Sequence, residues 1–166
     1  MQYKVGDSVV YPKHGAATVT KIEERVIRNA RKTYLTLEIA VDKMTIQVPA
    51  DNLKTIGVRD IIDKNGVEIV FDILSNDPPD TNMTWTKRFK ENVEKSSTGN
   101  LFDVAEVIKD LVYRGDTKAI SAGEKRMLHR SMIVLVTELA ISLDENEEEV
   151  KRIVTEKLDV PIDYFD

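Results

Sequence analysis

The chain has 166 residues, no cysteine, and a formal net charge of −5 with pI near 5.2. That length suits two small domains, and a hydrophobic content of 42% can supply a core for each. Lack of cysteine excludes disulfides, thiolate zinc sites and thiol nucleophiles. The amino end lacks a basic segment followed by an apolar run, and no stretch approaches the ~20 apolar residues of a membrane span, so a cytoplasmic protein with no membrane contact is expected.

The negative total hides an uneven distribution. Residues 1–54 carry nine Lys/Arg against six Asp/Glu, and residues 81–130 carry ten against seven, a surplus of three in each. From Glu138 to Asp166 the balance is three basic to ten acidic residues. The pI therefore mostly reports the acidic end. A net-acidic chain still predicts weak unaided affinity for DNA, because phosphate neutralisation supplies most non-specific binding.

In chain order, residues 1–54 read as short strands. Val5–Tyr11 ends at the Pro12–Gly15 turn, Ala17–Glu23 alternates with period two and continues through Arg25–Ile27, and Asn29–Lys32 reads as a second turn. Tyr34–Ile39 alternates again, and Met44–Pro49 follows Asp42–Lys43. Four or five antiparallel strands in this length predict a small curved β-barrel. Pro49 suits an edge strand, whose unpaired backbone could accept a partner's strand.

From Gly57 the period changes, and the boundary is drawn near residue 54, with 55–166 helical and an acidic tail from about 144. Val58–Ile62 and Val67–Leu74 read as short helical pieces separated by Asn65–Gly66, the second also passing as a strand. After the Pro78–Pro79 loop a helix over 85–96 is capped by Thr84 or Thr81. A second, from Leu101, carries Val104, Ala105, Ile108, Leu111 and Val112 and stops at Gly115. Ser121 and Glu124 form a capping-box pattern before Met127, Leu128, Met132, Leu135, Val136 and Leu139, the most apolar helix. The last helix begins near Ser142–Glu145 and places Val150, Ile153, Val154 and Leu158 on one face. Pro161–Asp166 reads as a loose tail. The fold class is thus α+β.

No phosphate loop, nucleophile elbow or zinc-protease motif is present, so no catalytic residue, metal or cofactor is expected. Trp85, the single tryptophan, stands beside Lys87, Arg88 and Lys90. Lys125 and Arg126 open the Ser121 helix, and Arg114 and Lys118 fall in the loop before it. A flat apolar group flanked by cations is what a wedge into DNA requires. Trp85, Phe89 and Val93 equally form an ordinary amphipathic stripe that would place Trp85 in the core, so both readings stand.

The runs Tyr3–Gly15, Val48–Ala50, Gly57–Asp60, Asn82–Trp85 and Ser121–Leu128 together resemble the CarD family of bacterial transcription regulators, most of all its actinobacterial members. The similarity covers nearly the whole chain and is loose beyond Leu143. It implies a Tudor-like N-terminal domain, shared with transcription-repair coupling factor, that docks on the RNA polymerase β-subunit lobe by strand addition through Thr45, Ile46, Gln47 and Val48, with Arg25 in contact. It further implies a helical domain at promoter DNA, at the upstream edge of the bubble. There a tryptophan matching Trp85 wedges into the minor groove, and cations matching Lys87, Arg88, Lys90 and Lys125 approach phosphates. The outcome would be a longer-lived open complex, produced by a monomer brought to the nucleoid by polymerase. Relatives often carry arginine where this chain has Gln47, which implies a docking contact there that is weaker or differently made. The alternative is a polymerase- or peptide-binding adaptor with Trp85 in its core.

Overall fold

The computed structural model describes residues 3–79, 83–117 and 120–166; Thr81, Asn82 and Lys118, all named above, lie outside these. Its N-terminal part is a five-stranded antiparallel sheet of order β4-β3-β2-β1-β5, formed by β1 (Ser8–Tyr11), β2 (Gly15–Ile27), β3 (Ala30–Ile39), β4 (Thr45–Pro49) and β5 (Arg59–Asp60). The two outer strands do not pair with each other, so β4 keeps a free edge. Val9, Ala17, Val19, Leu35, Leu37, Ile39 and Val48 build one apolar cluster on the alternating inner positions.

One turn and one helical piece differ from the expectation. The second hairpin turns at Arg28 and Asn29, whose φ values of 53° and 64° are both positive, as a two-residue turn matched to strand twist requires. Ala30–Lys32 therefore belongs to β3. The stretch Val58–Ile62 contains a strand rather than a helical piece, because Val10 pairs with Arg59 and Val9 with Asp60. A 3-10 turn at Ala50–Asn52 and the short α1 (Leu53–Ile56) lead to it, ending at Gly57 in the left-handed region with φ 96°.

Tyr3 reinforces β5 by donating its hydroxyl to Asp60 Oδ1 at 3.0 Å. Burial, then this bond and the charges of Asp60 and Asp7, push the phenol up from 10.0 to about 12. The folded state thus holds the proton more tightly than the unfolded one. The resulting stability is complete below pH 10 and is lost as pH rises toward 12. Tyr3→Phe should cost about 1 kcal/mol at neutral pH and flatten the alkaline fall in melting temperature. Parallel declines of variant and parent through that window would refute it.

The rest of the chain is helical: α2 (Lys64–Ser75), α3 (Trp85–Ser96), α4 (Leu101–Thr117), α5 (Ala122–Leu143) and α6 (Glu147–Leu158). Asn65 and Gly66 do not separate helices. They lie in the first turn of α2, where Asp63 accepts from Gly66 N at 2.9 Å as N-cap. Gly115 does not stop α4 either; a Cβ there would stand 3.1 Å from the Tyr164 hydroxyl, so the missing side chain makes room for the C-terminal segment. That segment is seated rather than loose. Tyr164 and Phe165 pack on the helical core and Asp166 pairs with Lys151. Ser142 and Leu143 belong to α5, which ends at Asp144 with φ 53°, and α6 starts after the Asn146 cap.

Helix α5 is central, touching α2, α3, α4, α6 and β2. Leu128, Met132, Leu135, Val136 and Leu139 are buried against Val104, Ala105, Ile108, Leu111 and Val112 of α4, and Val150, Val154 and Leu158 of α6 close the cluster. A buried side chain of α5 helps tie the sheet to this bundle. Glu138 of α5 accepts from both terminal nitrogens of Arg59 at 2.9 Å and from Ile62 N at 2.9 Å. Arg59 also donates Nε to Gly99 O at 2.9 Å. Gly99, with φ 78°, lets the α3–α4 turn lie on Pro12, whose Cα would be 3.3 Å from an added Cβ.

Candidate functional site

Trp85 is the first residue of α3. Thr84 caps the helix, its hydroxyl oxygen accepting from Lys87 N at 3.3 Å, so the chain enters extended and turns sharply at the indole. The side chain is 49% exposed and is therefore not a core residue. Val93 is 40% exposed, so the Trp85–Phe89–Val93 stripe faces largely outward. What α3 buries instead is polar: Asn92, 5% exposed, donates to Asp110 Oδ2 at 3.0 Å on α4.

The indole is held on two sides. One face stacks on Phe89, with centroids 5.2 Å apart and planes 14° apart, and Phe89 in turn lies on Gly123. Its Nε1 donates to Glu124 Oε1 at 2.9 Å. The same oxygen accepts from Ser121 N at 3.1 Å, and Glu124 N donates to Ser121 Oγ at 3.2 Å, which completes the capping box of α5. Glu124 is 1% exposed. Burial alone would raise its pKa, but the bonds from Trp85 and Ser121 and the charge of Arg88 outweigh burial and hold the carboxyl below its ordinary range.

The expected cations divide into two groups. Lys87, Lys90, Lys125 and Arg126 are exposed, the first two on the opening turns of α3 and the others directly after Glu124 on α5. Arg126, His129 and Arg130 continue the exposed basic side of α5, and with Lys125, Val41 and Ile133 they line a shallow depression of about 390 Å³. Arg88 is half-buried, with its Nε enclosed and without a hydrogen-bond partner among the described residues. Arg114 sits in α4 rather than in a loop. It is mostly buried and paired with Asp110 at 3.0 Å, so the fold does not bring it into the exposed group.

A second candidate surface lies on the sheet. Thr45 and Gln47 are exposed on β4, while Ile46 and Val48 turn toward the sheet core. Arg25 lies across three strands: it donates to Glu23 Oε1 at 3.1 and 2.5 Å and to Gln47 Oε1 at 3.0 Å, and stands 4.7 Å from the centre of the Tyr34 ring. Bonds from Arg25 and then Lys21 hold the Glu23 carboxyl below its ordinary range. Gln47 thus presents an acceptor that orients Arg25, where a second arginine would repel it. Among the described residues no helix is long and apolar enough to cross a membrane.

Residues 3–62 match the model of the CarD-like/TRCF RID domain, and residues 69–155 match that of the CarD C-terminal domain. The second alone spans more than half of the chain, and the protein belongs to the CarD family, whose members are transcription regulators rather than enzymes. A Bacillus subtilis (strain 168) protein described as "Putative transcription factor YdeB" is 29% identical over 149 residues, which is 90% of this chain and 97% of that protein. The solution structure of the 72-residue N-terminal domain of Myxococcus xanthus CarD is 34% identical, covering 36% of this chain and 79% of that one, with a TM-score of 0.31.

Proposed function

We propose that this protein docks on the RNA polymerase β subunit through the free edge of β4 and stabilises the promoter open complex by wedging Trp85 into the minor groove at the upstream fork. The observation that carries the reading is an indole half-exposed at a helix start, steadied at one face and one edge, with exposed cations on two adjacent helix openings. Its exposed side would stack on an opened base step. At an already melted junction, much of the few kcal/mol that minor-groove wedges spend on unstacking is avoided. Lys87, Lys90, Lys125 and Arg126 would approach phosphates; each contact made adds about 0.9 to the salt slope of binding. Arg88 contributes from within, through Glu124.

Docking resolves the charge problem. With a net charge of −5, unaided DNA affinity is low, and tethering replaces it by a high local concentration. In this division of labour residues 1–54 dock and residues 55–166 face DNA, except that β5 (Arg59–Asp60) completes the first sheet by pairing with β1. The protein acts as a monomer, reaches the nucleoid through polymerase, and falls with the actinobacterial members its sequence runs resemble.

The test is the lifetime of a competitor-challenged open complex on an unstable promoter, with and without the protein. A longer lifetime supports the reading, and an unchanged lifetime despite polymerase binding would sink it. Docking is checked separately. Arg25→Glu should weaken polymerase binding about tenfold or more, the scale of one or two charge-assisted bonds; undiminished binding would move the contact elsewhere.

A further inference from the structure

We propose that Glu124 is the positioning residue of the Trp85 wedge: its buried carboxylate holds the indole edge so that the outer face is presented to DNA already ordered. The inference rests on the wedge reading and concerns how the wedge is kept ready.

Nothing about helix capping requires Glu124 to touch Trp85. A capping box needs only the reciprocal bonds between Ser121 and Glu124. Here one oxygen, Oε1, takes both the capping bond from Ser121 N at 3.1 Å and the bond from Trp85 Nε1 at 2.9 Å. The cap therefore doubles as a bracket across 39 residues of sequence. Oε2 is enclosed without a hydrogen-bond partner among the described residues, as is Nε of Arg88, whose charge acts on the carboxylate. A carboxylate 1% exposed that accepts from both the indole N–H and the Ser121 backbone N–H cannot swing out without leaving both donors unpaired. Phe89 blocks the inner face of the ring. Rotation of the indole is thereby restricted from two directions, and the ordering entropy is met during folding rather than at the fork.

Glu124→Ala should release the ring and shorten the open-complex lifetime about three- to tenfold, the scale of ordering one side chain on binding. Glu124→Gln, which keeps an acceptor oxygen, should restore most of that lifetime. Ser121→Ala removes the hydroxyl cap but leaves the Trp85 bond, so it should leave the lifetime near that of the parent. Because Trp85 is the single tryptophan, its fluorescence anisotropy reads ring mobility directly: Glu124→Ala should lower it, and Ser121→Ala should not. In a Trp85→Ala background the Glu124 substitutions should have no further effect on lifetime. If Ser121→Ala matches Glu124→Ala, or if Glu124→Ala still acts without Trp85, Glu124 serves helix capping only and the inference is overturned. A Trp85→Ala protein that retains full lifetime defeats the wedge itself, a result distinct from an effective Trp85→Ala beside a silent Glu124→Ala.

Discussion

Glu138→Ala is expected to destabilise the protein by about 3 kcal/mol, the lower end of the cost of breaking a buried ion pair, because the Arg59 side chain left behind is 30% exposed. Glu138 is 0% exposed and its two oxygens receive three bonds, two from Arg59 and one from Ile62 N. Truncation leaves the Arg59 guanidinium without its carboxylate, held only by the Gly99 and Asp60 carbonyls, and the Ile62 N–H without an acceptor, at the junction of β5, the segment leading to α2, and α5. By contrast, removing Arg152 from its exposed bonds to Glu149 and Glu156 on α6 should change stability by no more than about 1 kcal/mol. Urea unfolding measures both. A double replacement, Arg59→Met with Glu138→Leu, should recover a large part of the loss, because the desolvation penalty leaves with the charges. A Glu138→Ala loss below about 1 kcal/mol would mean that solvent at the 30%-exposed Arg59 side chain compensates its charge fully, and would refute the prediction. The pair also holds the N-terminal sheet against the helical bundle, so on the proposed function the variant that stays folded should still bind polymerase but lose part of its effect on lifetime.

Trp85→Ala is expected to return the open-complex lifetime to that of polymerase alone while leaving the fold nearly intact. A core tryptophan would cost ~3–5 kcal/mol on truncation. This one is 49% exposed, and what it gives up inside the protein is the Phe89 stack and one hydrogen bond, about 1–2 kcal/mol together. Thermal unfolding and the lifetime assay on the same sample separate the alternatives. A loss of core size with no specific loss of lifetime would favour the adaptor reading. A normal melting temperature with a collapsed lifetime places the activity in the exposed face of the indole.

Local signals in the chain determined much of this. Period-two stretches produced the strands, and the stripes of Val104, Ala105, Ile108, Leu111 and Val112 and of Leu128, Met132, Leu135, Val136 and Leu139 produced the buried faces of α4 and α5. The Ser121–Glu124 box marked the start of α5 because a cap links residues only three positions apart. Pro49 marked the end of β4, which the sheet order makes an edge. The family resemblance, confirmed by the two matching domain models, came from short runs that need no folding to be seen.

Periodicity misled where long-range pairing outweighed it. Arg59 and Asp60 form a strand because β1 offers an unpaired edge, and the glycine at 115 makes room for Tyr164 within α4 instead of ending the helix. The stripe Trp85–Phe89–Val93 could not say whether it faced core or solvent, since that depends on what α3 packs against, and it packs through Asn92 on Asp110. Arg114 and Lys125 are alike in sequence, yet one is paired with Asp110 and mostly buried while the other is exposed. The sequence by itself thus determined elements, caps and family. Only the tertiary structure decided which aromatic stands clear, which arginine is enclosed, and that Glu124 and Glu138 are buried, because burial and charge pairing are set by partners 39 and 79 residues away along the chain.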